Sequence, residues 1–421
     1  MKQAYYHIVE QYGEQASFLW ETRAQVVFEP HYSIDDLYKL DRRIDAHIDA
    51  LFLSGEQGIK VCEKLLESSQ PGEMFAVVCT ALLNRDEKLL RSALEQIPYN
   101  PKSIDGLIDA MLWVSQEDAK SVFDICSNST DFYLQAAAIS AMATRRKDVD
   151  PAILKSLLYS EIPDLQCRAL RLIGELRVFS LKEHLAEFIN SDDQLLSFYA
   201  ASSSVLLGIE SARKKLITLA SDKKFELADI AAVYAIRGNN PVDSKRIWEF
   251  FLSNTSTVRA GLIALGSSGL ADNVQILFQY MSDPQYSRVC GEMVSMITGI
   301  NIEKSDLDTQ PPSDYQDSIN DNPQDIEVAL QADHFLPWPD LEKLGKWWDQ
   351  NRSSFKPETR YLAGKEIDNI SLQTILRSGF QRQRFAAALE LVLCNGNPVL
   401  FNTRAPSKEQ YAAINAMCEV S

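Results

Sequence analysis

The residues of this chain able to do chemistry are five histidines, seven cysteines and several adjacent carboxylates. Metal binding asks for His and Cys at close, repeated spacing. His7, His31, His47, His184 and His334 instead stand apart from one another and from the cysteines. Cys62, Cys79, Cys126, Cys167, Cys290, Cys394 and Cys418 are odd in number, scattered, and form no CxxC pair. Buried free thiols in a reducing compartment explain them best, since Cys167 and Cys290 sit within apolar helical patterns. Paired acids such as Asp35-Asp36 and Asp192-Asp193 could serve general acid/base catalysis. Both pairs precede helical patterns, where the helix dipole favours negative charge, so they read as helix starts. No phosphate-cradling Gly-rich loop, nucleophile elbow or HExxH is present. We therefore assign no catalytic, cofactor-binding or metal-ligating residue and expect no cofactor and no small-molecule substrate.

A different chemistry gathers in Trp338, Trp347, Trp348, Arg352, Phe355, Arg360 and Tyr361. Trp and Arg are the types favoured at interface hot spots. The competing reading is that one tryptophan plugs the end of a helical stack. Trp347 and Trp348 are adjacent and cannot share one helix face, which leaves room for both roles.

The elements that must position these residues follow a loose internal repeat. Apolar, Ala-rich helical stretches recur at residues 163–176, 192–208, 225–238, 255–269 and 285–299. Each ends at or near a glycine: Gly174, Gly208, Gly238, Gly269 and Gly299. Steps of roughly 30–34 residues are those of helical repeat arrays. The fold class expected is all-α, a HEAT-like α-solenoid of stacked helical hairpins with N- and C-terminal helical caps. Such a stack is elongated and right-handed. It buries a core in a chain too long for one compact core. In the stretch from Pro163, residues Leu165, Ala169, Leu172, Ile173 and Leu176 form one stripe.

Four parts are expected. Residues 1–57 form an N-terminal helical module. There Ser33 and Asp36 make a capping-box start to a helix with Leu37, Leu40, Ile44, Ile48 and Leu51 on one face. His47, at the edge of that stripe, reads as a packed helix histidine. Residues 58–300 carry the HEAT-like repeats. Residues 301–335, rich in Asp and holding one lysine, read as an acidic flexible linker or insertion, or as an acidic arm for a basic partner. Residues 336–421 form a C-terminal helical module with a turn- or strand-like "TRYLAGKEI".

The formal net charge of −16 argues against nucleic acid and anionic membrane surfaces as partners, and favours a basic protein. No apolar run approaches the roughly 20 residues of a membrane span, and "MKQAYYHIVEQYGEQ" has no secretory h-region. A cytoplasmic protein is expected.

Residues 17–58, the "LPWPD…WWDQNR…F…TRYLAGKEI" segment and "QRQRFAAALEL" together resemble a family of bacterial proteins, HEAT-repeat-like and often encoded within or beside type VI secretion clusters. The resemblance implies a cytoplasmic protein in a toxin-delivery system and carries no catalytic residues to map.

Three functions follow as expectations. The first is an immunity protein that binds and neutralises a basic secreted effector. The second is an adaptor or chaperone that holds an effector or spike component for loading. The third is a HEAT-like lyase, disfavoured by the lack of a site motif. The partner is expected on the concave face lined by the glycine-ended helices. The candidate partner-binding residues are Asp164, Glu175, Asp192, Asp193 and Glu226, with Trp338, Trp347, Trp348, Arg360 and Tyr361.

Overall fold

The computed structural model describes residues 6–145, 149–313, 315, 332–394, 396 and 399–420, with side chains to 417. The described chain is mostly helical, with four two-residue strands among its elements. Two compact units share it. Unit 1 comprises residues 1–28, 32–186 and 401–421; unit 2 comprises 29–31 and 187–400. These boundaries differ from the sequence-based divisions near 57, 300 and 335.

In unit 1 the order is α1 (Tyr6–Val26), α2 (Ile34–Leu53), α3 (Glu56–Leu65), α4 (Pro71–Asn84), α5 (Glu87–Leu94), α6 (Ile104–Trp113), α7 (Lys120–Ser127), α8 (Phe132–Thr144), α9 (Pro151–Leu158) and α10 (Pro163–Glu175). The short α11 (Ala186–Ile189) follows at the boundary, with Glu187–Ile189 already in unit 2. Helices α1, α4, α6, α8 and α10 pack in succession as one row. Helices α3, α5, α7 and α9 pack outside, each on its row neighbour. Row helices such as α4 and α8 are apolar or small nearly all round, because both sides and the outer face are covered. Outer helices keep a polar side.

Unit 2 repeats the scheme with α12 (Gln194–Leu206), α13 (Arg213–Ala220), α14 (Ala228–Ile236), α15 (Pro241–Leu252), α16 (Val258–Ser267), α17 (Val274–Met281) and α18 (Pro284–Thr298). Here α12, α14, α16 and α18 form the row. Then come β1 (Asp308–Thr309), β2 (Trp338–Pro339), α19 (Leu341–Asn351), β3 (Tyr361–Leu362), β4 (Lys365–Glu366), α20 (Asn369–Ser378) and α21 (Gln381–Leu393). Helix α22 (Ser407–Val420) belongs to unit 1 and packs on α2.

Local sequence explains the ends. Ser33 and Asp36 close the expected capping box on α2. Asp131, Asp150, Asp193 and Asp283 each accept backbone N–H groups at a helix start, which is the structural role expected of such acids. Proline begins α4, α9, α10, α15 and α18, where its missing N–H is not needed. His47 packs against Tyr12, with ring centroids 6.1 Å apart.

The glycine register needs one correction. Gly208, Gly238, Gly269 and Gly299 adopt left-handed φ after their helices, but Gly174 lies inside α10. The left-handed position there is taken by Arg177 (φ 52°), with Val178 N–H reaching Ile173 O at 2.9 Å. Positions 177, 208, 238, 269 and 299 recur more regularly than the sequence reading supposed.

The linker reading is corrected at its two flanks only. Residues 314 and 316–331 lie outside the described residues. The flanks on either side are bound into unit 2. Asp308 and Thr309 pair antiparallel with Pro339 and Trp338. Ile302 is buried, and the buried Asp333 carboxylate takes two bonds from Arg259, at 2.6 and 2.7 Å. The "TRYLAGKEI" segment forms the β3–β4 hairpin, whose backbone docks on two helix ends. Tyr361 N–H donates to Gly269 O at 2.7 Å, and Ala363 N–H to Met296 O at 2.7 Å.

Candidate protein-binding surface and buried polar clusters

Four of the expected acids are exposed. Asp164 stands in the first turn of α10 in unit 1. Asp192 and Asp193 stand at the start of α12 in unit 2, and Glu226 just before α14. Asp193 also caps α12, through bonds from Leu195 and Leu196 N–H at 2.8 and 3.2 Å.

Glu175 is different: it is 7 % exposed. Its carboxylate takes a bond from Arg404 at 3.0 Å and lies 3.6 Å from Arg171. It is a buried counter-charge for residue 404, not a wet position on a binding face. A carboxylate is kept in such a place only when paired.

The aromatic–basic cluster is brought together, but largely as internal packing. Trp348 and Tyr361 are buried, and Phe355 joins them at centroid distances of 5.5 and 4.9 Å. Trp347 and Trp338 are half-buried. Trp338 packs edge-on to Tyr315 at 4.7 Å, under the Arg288 guanidinium at 4.9 Å. Arg360 donates to Ser268 O at 3.0 Å and to both oxygens of Glu390. Trp348, Tyr361 and Arg360 therefore hold the hairpin to the helix row, and an outward role for them is overturned.

That docking exposes a cluster the sequence reading missed. Glu390 is fully buried and takes Arg237 Nη1 at 3.2 Å, Arg360 Nη2 at 2.5 Å and the Cys394 thiol at 3.1 Å. Burial pulls the carboxyl upward. Arg360 and then Arg237 outweigh it and hold Glu390 below the ordinary carboxylate value. Burial, reinforced by Glu390, pushes the Cys394 thiol up to about 11. Nearby, Arg213 donates to Tyr234 O and Arg237 O, both at 2.8 Å, and so closes the end of α14. The one available signal was a lone acid within the apolar "AAALELVLC".

Helix α21 also covers α14 and α18. Phe385 meets Tyr234 at 6.0 Å, and Arg382 grips Glu292 at 2.9–3.0 Å. The expectation that the glycine-ended helices keep one face open for a partner fails at these two. Burial raises the Glu292 carboxyl, Arg382 opposes it, and Asp333 adds to the rise. Beside this pair lies a cleft of about 430 Å³, walled by Met296, Ile300, Phe335 and Phe380, with Lys304 and Lys365 among its lining.

Unit 1 holds its own polar centre. Arg23 pairs with Asp41 at 2.5 Å and also donates to Arg404 O and Ala405 O at 3.1 and 2.8 Å. Asp41 in turn accepts Ser407 N–H at 2.7 Å. Trp20 donates its indole N–H to Asp109 at 3.0 Å, and Trp113 to Asp45 at 2.8 Å. Burial and Asp105, against Arg23, raise the Asp109 carboxyl to about 6.

These clusters pair their charges internally and read as structural, although Arg237 Nε and Ser407 Oγ are buried without a hydrogen-bond partner. Among the described residues, no three His, Cys, Asp or Glu side chains converge as metal ligands, and no helix is long and apolar enough to cross a membrane. No protein-family model, curated protein or solved structure matches this chain.

Proposed function

We propose that this chain is a HEAT-like, protein-binding helical array of a type VI secretion gene cluster. On this reading it is a cytoplasmic immunity protein that holds a basic effector and blocks it. The supporting observation is the arrangement of acids at the starts of row helices. In unit 2, Asp193 caps α12, Asp229 lies in the first turn of α14 and Asp283 caps α18. Arg259 of α16 bonds Asp229 at 2.8 Å, so neighbouring row helices begin side by side; this pair offsets the Asp229 charge and leaves Asp193 and Asp283 as the field acids. Acids repeated along one edge sum into one field, which speeds and orients encounter with a cationic protein.

The experiment is co-expression with each neighbouring gene product. A neighbour that kills the cell when expressed alone, is harmless beside this protein, and co-purifies with it carries the reading. A neighbour that is harmless alone yet fails to be exported without this protein replaces it with the adaptor function.

A further inference from the structure

We propose that one edge of unit 1, carrying Tyr99, Phe132 and Tyr159, is the docking surface for an arginine-rich stretch of a protein partner. The inference rests on the protein-binding reading and gives it a place and a chemistry.

The three aromatics sit at or just before the starts of successive row helices. Tyr99 lies in the turn from α5 into α6, Phe132 begins α8, and Tyr159 ends α9 just before α10. The starts of successive row helices in unit 1 lie near one another. Asn100 Nδ2 and Ser103 Oγ both donate to Ser69 O, at 2.7 and 2.6 Å, joining the turn before α6 to the turn before α4. Arg168, midway along α10, reaches Asp105 at the start of α6, at 2.8 Å. Burial and then Asp164 and Asp131 raise the Tyr133 phenol, as expected when the starts of α8 and α10 adjoin.

Along this edge the large rings face solvent. Tyr99 is 87 %, Phe132 46 % and Tyr159 45 % exposed, although Tyr159 also hydrogen-bonds His184 Nδ1 at 2.8 Å. A buried core has no use for them there. Exposed carboxylates, Glu161 and Asp164, stand among them, while Asp105 already pairs with Arg168 and Asp131 caps α8.

Unit 1 itself indicates what such rings take. Its exposed Phe28 and Phe179 each already lie under a guanidinium, those of Arg404 at 5.9 Å and Arg177 at 5.0 Å. Among the described residues no arginine covers Tyr99 or Phe132. A planar guanidinium stacks on an aromatic face while its N–H groups bond nearby carboxylates, a pairing that an ammonium makes less well.

The test uses the full chain and a fluorescein-labelled nona-arginine peptide, followed by anisotropy at physiological salt, with nona-lysine beside it. The Tyr99→Ala/Phe132→Ala/Tyr159→Ala variant keeps the charge of −16, so loss of binding reports the rings and not the field. Roughly tenfold weaker nona-arginine binding is expected, about two- to fivefold from each exposed cation–π contact. Phe250→Ala, which removes an exposed ring in unit 2, should leave binding unchanged. If circular dichroism shows the triple variant misfolded, Tyr99→Ala alone is read, with a two- to fivefold loss expected. Binding within twofold of the parent protein, or equal binding of nona-lysine, overturns the proposal. The protein-binding reading is scored separately by capture of the co-encoded partner on the parent protein. A partner held equally by the parent and the triple variant sinks this edge and leaves that reading standing.

Discussion

Glu390 and Arg237, 153 positions apart, form an ion pair at 3.2 Å in which both side chains are almost wholly buried. Arg360 grips the same carboxylate from the hairpin, so two guanidiniums share one acid. A buried pair of this kind is weak evidence of net stabilisation, but breaking it leaves charge without compensation.

Glu390→Gln should therefore destabilise unit 2 by on the order of 3 kcal/mol at pH 7, seen as a lower urea midpoint. The carboxyl is held below its ordinary value in the folded state. Its contribution is thus full above the unfolded value of about 4.3 and is lost as pH falls through the folded one. The variant should lack that acid-side loss. Equal midpoints at pH 7 for variant and parent would contradict this account.

Asp109 carries the opposite sign. Its folded value, about 6, lies above the unfolded one, so the folded state binds the extra proton. Stability from this group falls as pH rises from about 4 to 6. Asp109→Asn keeps an acceptor for the Trp20 N–H and removes the buried charge. It should be more stable than the parent at pH 7 by about 1–3 kcal/mol, with no advantage at pH 4. Tryptophan fluorescence during urea unfolding at the two pH values gives the comparison.

Cys62, Cys79, Cys126 and Cys290 are buried free thiols. Burial raises Cys62 and Cys126 to about 12 and also pushes Cys79 and Cys290 well up. A disulfide-exchange reagent at pH 8 should leave these four unlabelled until urea is added, because the thiolate is the reactive form. Mass mapping of a labelled Cys79 in the native protein would show that unit 1 opens far more readily than its packing suggests.

Gly299 and Gly345 should respond oppositely to alanine. Gly299 has φ 74°, and a Cβ there would lie 2.5 Å from Ala363 O. Gly299→Ala should cost about 2 kcal/mol or more and loosen the hairpin. Gly345, within α19, has open space, so alanine there should be neutral or stabilise by about 0.5–1 kcal/mol. Similar effects at the two sites would show that the hairpin does not seat on the helix end as described.

Local rules carried the sequence reading where local rules decide. The Ser33–Asp36 cap, the acid-started helices and four of the glycine ends follow from residue type and spacing. Gly174 misled because its terminator is Arg177, and residue type does not mark an arginine for left-handed φ. Glu175 misled because its counter-charge, Arg404, lies 229 positions away. Packing and interface roles stayed open for the aromatics of 338–361 because their cover, the ends of α16 and α18, is distant in sequence. Residues 301–313 looked unstructured because their partners, 338–340, come after a long intervening stretch.

The chain leaves unit 1 at residue 186 and re-enters it at 401, after all of unit 2 has been made. A ribosome therefore delivers the second unit complete while the first still lacks the backbone that Arg23 and Asp41 hold. Folding during synthesis must run inside out, with the unit that starts the chain finishing last. A nascent chain stalled before residue 401 would present a finished second unit beside a first unit whose buried ion pair still waits for its clasp, a state for chaperones and proteases to recognise.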